Sequence, residues 1–206
     1  MTKVILVRHG ETEWNRLRRI QGGNSDTQLN QRGRKQAASL ALRLKQEEIQ
    51  AIYSSPLQRA QDTARAIAGY HQLPVGVEPS LREIEVGELE GVSIAEVGKH
   101  LSQLLIRYSQ GEELPRIPGG ESLTEVQQRV WDTIQRLVGR HGDGVLVVVS
   151  HYFSILTAVC SVLNLPLFQI DRLRLNSGSI SILTFDEQAT RLTLFNDTCH
   201  LASIES

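Results

Sequence analysis

The chain has 206 residues, 40% of them hydrophobic and 22% charged, with a formal net charge of −1. That length is enough for one continuous core, so a single domain over residues 1–206 is expected, and the balanced charge argues against a nucleic-acid or membrane surface. Two cysteines, Cys160 and Cys199, are too few for a disulfide framework, and the short apolar run near the start meets Arg8-His9 at once, so no secretory signal is read and a cytoplasmic location is expected.

Lys3–Val7 reads as a buried strand that delivers Arg8, His9 and Gly10 at its carboxyl end. Asn30–Gln46 is an amphipathic helix with Ala37, Leu40, Ala41 and Leu44 on one face. A second strand, Ala51–Ser54, runs into Ser55-Pro56, which offers an N-cap and an N1 proline for a helix from Pro56 to Ala68, with Gly69 near its end. Ser93-Ile94-Ala95-Glu96 is a capping box opening a helix to about Tyr108. Ser122-Leu123-Thr124-Glu125 is another, opening one to about His141. Val145–Val149 has the uninterrupted branched composition of a central strand covered on both faces, and Ile155–Leu163 follows it as a helix. Ser179–Phe185 and Arg191–Phe195 alternate around Asp186-Glu187-Gln188 as a hairpin or sheet edge. Arg82–Gly91 and Gly111–Gly120 read as loops. Strands and helices in alternation predict an α/β fold, a three-layer α/β/α sandwich with a mostly parallel central sheet.

Chemistry collects just past the strand ends, where open α/β sheets bind ligands. The first strand supplies Arg8 and His9, with Asn15 a few residues on. The second supplies Arg59 in the first turn of its helix, and the central strand supplies Ser150-His151. Two guanidinium forks with two imidazoles form a compact cationic pocket suited to a phosphate group. The loop Leu81-Arg82-Glu83-Ile84-Glu85 adds candidate acids. Phosphoryl transfer to histidine needs a neutral imidazole, charge stabilisation on the equatorial oxygens and a proton for the departing alkoxide. His9 suits the first role, Arg8, Arg59, Asn15 and His151 the second, and Glu83 the third. Glu85, Glu88 and Glu90 share the loop and compete for that last role.

Leu6-Val7-Arg8-His9-Gly10-Glu11-Thr12-Glu13-Trp14-Asn15 resembles the N-terminal motif of the histidine phosphatase superfamily, the phosphoglycerate mutase-like fold. The resemblance continues through Gln21-Gly22, Tyr53-Ser54-Ser55-Pro56-Leu57-Gln58-Arg59-Ala60, Leu81-Arg82-Glu83, Gly119-Gly120-Glu121-Ser122 and Val149-Ser150-His151. It implies His9 as the nucleophile that becomes phosphohistidine. Arg8, Arg59 and His151 would bind the phosphoryl group, Glu83 would be the acid, and Asn15, Gln21 and Gly22 would make phosphate and substrate contacts. It implies no metal and no cofactor.

Val86-Gly87-Glu88-Leu89-Glu90-Gly91 lacks the tyrosine and lysine that mutases of this superfamily carry after the acid loop. Hydrolysis is therefore expected over mutase-type transfer, with a non-catalytic phospho-ligand binder as the rival of a different class. The expected partner is a small phosphorylated metabolite, with no nucleic acid and no membrane; the assembly state is left open, a homodimer included. Other mechanisms lack their signatures, since there is no Asp-x-Asp pair, no cysteine followed six residues later by arginine, and no Gly-x₄-Gly-Lys loop. His71, His100 and His141 read as solvent-exposed and Cys160 as core. Arg82 reads as a structural partner and Arg16, Arg18 and Arg19 as a solvated basic run. His200 stands between a mobile tail and a lid contact.

Overall fold

The structure is a computed structural model and describes residues 1–98 and 116–205. Six strands form one sheet in the order β3-β2-β4-β1-β5-β6: β1 Thr2–Arg8, β2 Ile49–Ser54, β3 Val75–Val77, β4 Gly144–Ser150, β5 Ile180–Phe185 and β6 Thr190–Asp197. The pairs β1–β4, β2–β4 and β2–β3 are parallel, while β5 and β6 add antiparallel at one edge. The mostly parallel sheet is thus as expected, and the C-terminal alternating segment is both a hairpin and the sheet edge. The edge strand β3 escapes sequence reading because three residues, one of them glycine, carry no periodic signal.

Alternation along the central strands sorts their side chains onto two faces. Val4, Leu6, Leu146 and Val148 pack with Val130, Ile134 and Leu137 of the helix Leu123–His141 and with Leu156 and Val159 of the helix Tyr152–Leu163. Ile5, Val7, Val147 and Val149 pack instead with Leu40 and Leu44 of the helix Gln31–Leu44 and Ala60, Ala64 and Ile67 of the helix Gln58–His71. Helices therefore cover both faces. This is the three-layer sandwich, and it explains why β1 and β4 show no polar alternation.

Several helix starts follow their sequence signals. Ser122 and Glu125 form the expected reciprocal capping box, and the helix expected over Asn30–Gln46 spans Gln31–Leu44 with Asn30 outside it as a cap, accepting from the Gly33 amide at 2.8 Å. Of the box expected at Ser93 one half forms, the Ser93 amide donating to Glu96 Oε2 at 3.3 Å, while the Ser93 hydroxyl accepts from the Ala95 amide. Residues 94–98 are helical, and the rest of the helix expected to Tyr108 lies outside the described residues, as do His100 and residues 111–115 of the Gly111–Gly120 loop.

Two starts differ. The helix expected from Pro56 begins at Gln58, with Leu57 in the cap position and the Ser55 hydroxyl shared between the Leu57 amide and His151. The helix expected from Ile155 begins at Tyr152, three residues earlier, where the Glu83 carboxylate accepts from its first-turn amides. Both displacements occur where the sheet edge gathers its polar residues.

Candidate active site

The three parallel strands β2, β4 and β1 end together, with Arg8 paired to Ser150 and Ser54 to Val149. Register alone therefore brings the residues that follow each strand to one place. The turn after β1 passes very close to the start of the Gln31–Leu44 helix. A Cβ on Gly10 would lie 2.4 Å from the Gly33 carbonyl oxygen, so only glycine permits this approach.

His9 is 3% exposed. Its Nδ1 lies 2.7 Å from the Gly10 carbonyl oxygen, which can only accept. Nδ1 therefore carries the proton and Nε2 keeps its lone pair. Burial, then Arg59 and Arg8, hold the imidazole pKa well below its usual value, so His9 is neutral near pH 7. The ring centroids of His9 and His151 are 5.0 Å apart, close enough for one phosphate to touch both. His151 is likewise held well below the usual histidine value by burial, Arg59, His9 and Arg8.

Arg59 is fully buried, which is costly for a guanidinium unless it is held. Its two terminal nitrogens donate to the carbonyls of Ser25 at 2.6 Å and Gly22 at 3.0 Å. Burial pushes its pKa down to about 10, so it remains a cation at neutral pH. Arg8 donates to the Leu175 carbonyl and lies with its Cζ 5.0 Å from the Tyr152 ring centroid, a cation–π contact.

Among the four loop carboxylates, Glu83 is the one that is buried. It is 4% exposed, and its oxygens accept from the amides of Ile84 at 2.9 Å, Phe153 at 3.1 Å and Ser154 at 3.3 Å. Burial raises its pKa above the usual carboxylate value, opposed by the Ile84 and Phe153 bonds and by Arg59 and Arg8. By contrast Glu88 is exposed, Glu85 lies beside Glu121, and Glu90 accepts from the Gly22 amide at 2.9 Å.

Three buried nitrogens in this cluster, the donors Arg8 Nε and Arg59 Nε and the ring Nδ1 of His151, have no hydrogen-bond partner among the described residues. Unpaired buried donors are expensive in a folded protein, and an anion seated between the two histidines would satisfy them. Charge without a metal is available here, since among the described residues no group of three or more His, Cys, Asp or Glu could hold one. Likewise, no helix among them is long and apolar enough to cross a membrane.

The structure thus brings together Arg8, His9, Arg59, Glu83 and His151. Gly22 joins through its carbonyl on Arg59. Asn15 and Gln21 are joined to each other through Thr12, whose hydroxyl lies 3.1 Å from Asn15 Oδ1 and 2.9 Å from Gln21 Oε1. Asn15 also completes the capping box of the short helix Glu13–Arg16.

Other sequence expectations shift. His71 and His141 are half-buried rather than exposed, and His141 Nε2 lies 2.7 Å from the Tyr53 hydroxyl. His200 is a tail anchor, its Nε2 lying 3.0 Å from the carbonyl oxygen of Gly178, whose amide in turn donates to the carbonyls of Arg8 and His9. Arg82 is a structural partner, donating to Gly23 O, and Cys160 is core.

Sequence reading missed Arg129. Its guanidinium binds both Glu121 oxygens at 2.8 Å, the Ser80 and Arg82 carbonyls at 2.7 and 2.8 Å, and the Glu83 carbonyl at 3.3 Å. Ser150 and Ser154 reinforce this loop by donating to the Leu81 and Arg82 carbonyls at 2.7 and 2.6 Å. Arg129 carries no local signal, because it stands 46 residues from Glu83 on an ordinary amphipathic helix.

A family model described as the histidine phosphatase superfamily (branch 1) matches residues 4–198. Phosphoserine phosphatase 1 of Hydrogenobacter thermophilus is 36% identical over 201 residues, covering 98% of this chain and 95% of that protein. A probable phosphoglycerate mutase GpmB of Yersinia pestis is 37% identical over 187 residues, 91% of this chain and 86% of its own. The crystal structure of an Entamoeba histolytica phosphoserine phosphatase in complex with 3-phosphoglyceric acid superposes with a TM-score of 0.87 at 32% identity, covering 98% of this chain and 100% of that one.

Proposed function

The chain belongs to branch 1 of the histidine phosphatase superfamily, and we propose that it hydrolyses small phosphomonoesters through a phosphohistidine on His9. The observation that carries this reading is the state of His9: neutral, its Nδ1 committed to the Gly10 carbonyl, its Nε2 free, and its ring 5.0 Å from His151.

In the first step Nε2 of His9 attacks phosphorus while the bond to the leaving oxygen breaks, and Glu83, whose burial favours the protonated form, gives that oxygen a proton. Arg8, Arg59 and His151 stabilise the charge on the equatorial oxygens. In the second step the ionised Glu83 takes a proton from water, whose oxygen attacks the phosphohistidine, releasing phosphate and restoring His9. The two guanidinium groups supply the charge that a metal would otherwise provide, so the reaction needs none. Asn15, Gln21 and Gly22 would make the phosphate and substrate contacts that the family resemblance implies.

Relatives named as phosphoserine phosphatase and phosphoglycerate mutase both suit a small phosphorylated metabolite as substrate. Hydrolysis is favoured over mutase transfer by the absence of the mutase-like tyrosine and lysine after the acid loop. The test is turnover of phosphoserine, 3-phosphoglycerate, α-ribazole phosphate, sugar phosphates and p-nitrophenyl phosphate in EDTA. Phosphate release is expected for at least one metabolite, with an acid-labile, base-stable phosphoenzyme on rapid quench. Loss of activity in EDTA with recovery on adding magnesium or zinc would overturn metal independence. Conversion of 3- to 2-phosphoglycerate outpacing phosphate release would make the enzyme a mutase.

A further inference from the structure

Ser55 is fully buried and sits between the end of β2 and the Gln58–His71 helix, with its amide donating to Val149 O at 3.0 Å. Its Oγ lies 2.7 Å from His151 Nε2 and 3.3 Å from the Leu57 amide nitrogen. The Leu57 amide can only donate, so it uses one lone pair of Oγ. Among the described residues the hydroxyl proton then has one acceptor in reach, the Nε2 lone pair of a neutral His151. That bond leaves the imidazole proton on Nδ1, which is buried and has no partner among the described residues.

We propose that Ser55 is a positioning residue that holds neutral His151 in its Nδ1–H form, so that this histidine offers the transferring phosphoryl group a donor and not a lone pair. The proposal rests on the phosphatase reading for its catalytic consequence, but the tautomer itself is a property of the resting protein. The physical reason is repulsion. A phosphoryl oxygen is an acceptor, and an imidazole lone pair facing it would oppose binding, whereas a pre-oriented N–H favours it without reorganisation. Burial first, and then Arg59, His9, Arg8 and Arg129, disfavour the charged form of His151, so protonation of the ring does not supply the second donor at rest. The tautomer has to be set by a neighbour, and Ser55 is the hydroxyl in contact.

The deciding experiment is ¹⁵N NMR of the histidine rings in the wild-type protein near pH 7.5 without substrate. His151 is expected to show a protonated Nδ1 and an unprotonated Nε2; a protonated Nε2 overturns the proposal. In Ser55→Ala the His151 signals should move to a tautomer mixture while those of His9 stay unchanged, and kcat for phosphomonoesters should fall about 10- to 100-fold. Ser55→Thr, which keeps the hydroxyl, should restore the Nδ1–H form and most of the rate. If Ser55→Ala keeps the wild-type tautomer, Ser55 does not set it and the proposal fails. If the wild-type tautomer is as expected and no phosphomonoester is turned over, the phosphatase reading fails and the assignment of the proton stands.

Discussion

Around His9 the side chains are placed by strand register, whereas around Glu83 they are placed by side chains that grip loop carbonyls. Arg8, His9, Ser55 and His151 leave three hydrogen-bonded parallel strands, so their relative positions follow from backbone pairing that the whole core supports. Glu83 sits in a loop with no ladder. Arg129, Ser150 and Ser154 take its neighbours' carbonyls, and the first turn of the Tyr152–Leu163 helix takes its carboxylate. The His9 half is thus as rigid as the sheet, and the Glu83 half only as rigid as a few polar contacts. This division suits the two roles proposed above, in which His9 would hold one fixed geometry while Glu83 would serve first a leaving group and then a water.

Replacing residues in each half tests the contrast. His9→Ala should cost the most, at least about 10⁴-fold in turnover with the thermal unfolding transition retained, because removing a nucleophile leaves only binding and charge stabilisation. Substantial residual activity would move the nucleophile elsewhere. Glu83→Gln should slow alkyl phosphomonoesters about 10²- to 10³-fold, yet nearly spare the nitrophenolate burst from p-nitrophenyl phosphate, whose leaving group needs little protonation. Equal losses for both substrates would remove Glu83 from the acid role.

Arg129→Met tests whether the loop is held as described. Turnover of alkyl esters should drop about 10-fold with the nitrophenolate burst less affected, and Arg129→Lys should recover only part of it, since lysine cannot copy the forked contacts. Loss of both substrates in parallel with loss of fold would make Arg129 a stability residue instead.

The smallest effect expected is on stability against pH. His9 and His151 are held below the usual histidine value of 6.5, so the unfolded chain binds more protons than the folded one between those two values. Their contribution is complete above about pH 6.5 and is lost as pH falls below it, by up to about 1.4 kcal/mol per pH unit for each. Glu83 is raised and acts in the opposite sense, its contribution being lost as pH rises through its folded value. Two histidines outweigh one carboxylate, so the urea midpoint should fall between pH 7 and pH 5. Glu83→Gln should make that fall steeper, and a flat profile would show the histidines to be protonated in the fold.

The sheet, its two-sided cover and the residues at its strand ends were legible because each is written locally. Apolar runs mark β1 and β4, Asn30 and Ser122 mark helix starts, and Arg8-His9 and Ser150-His151 follow their strands directly. Local signals failed where a side chain serves a distant partner. Ser55 looked like a cap and is bound to His151 across 96 positions of sequence, while His141 looked like a solvated helix end and meets Tyr53.

Sequence by itself determined that two histidines and two arginines converge on one edge of a parallel sheet, since periodicity and chain direction suffice for that. Only the tertiary structure showed which of four similar loop carboxylates is buried against the Tyr152–Leu163 helix, which nitrogen of each imidazole is engaged, and that Arg129 grips the carbonyls of the Glu83 loop. Those outcomes depend on contacts between groups far apart in the chain. Hydrogen bonds and burial act on distance in space, and no local pattern records it.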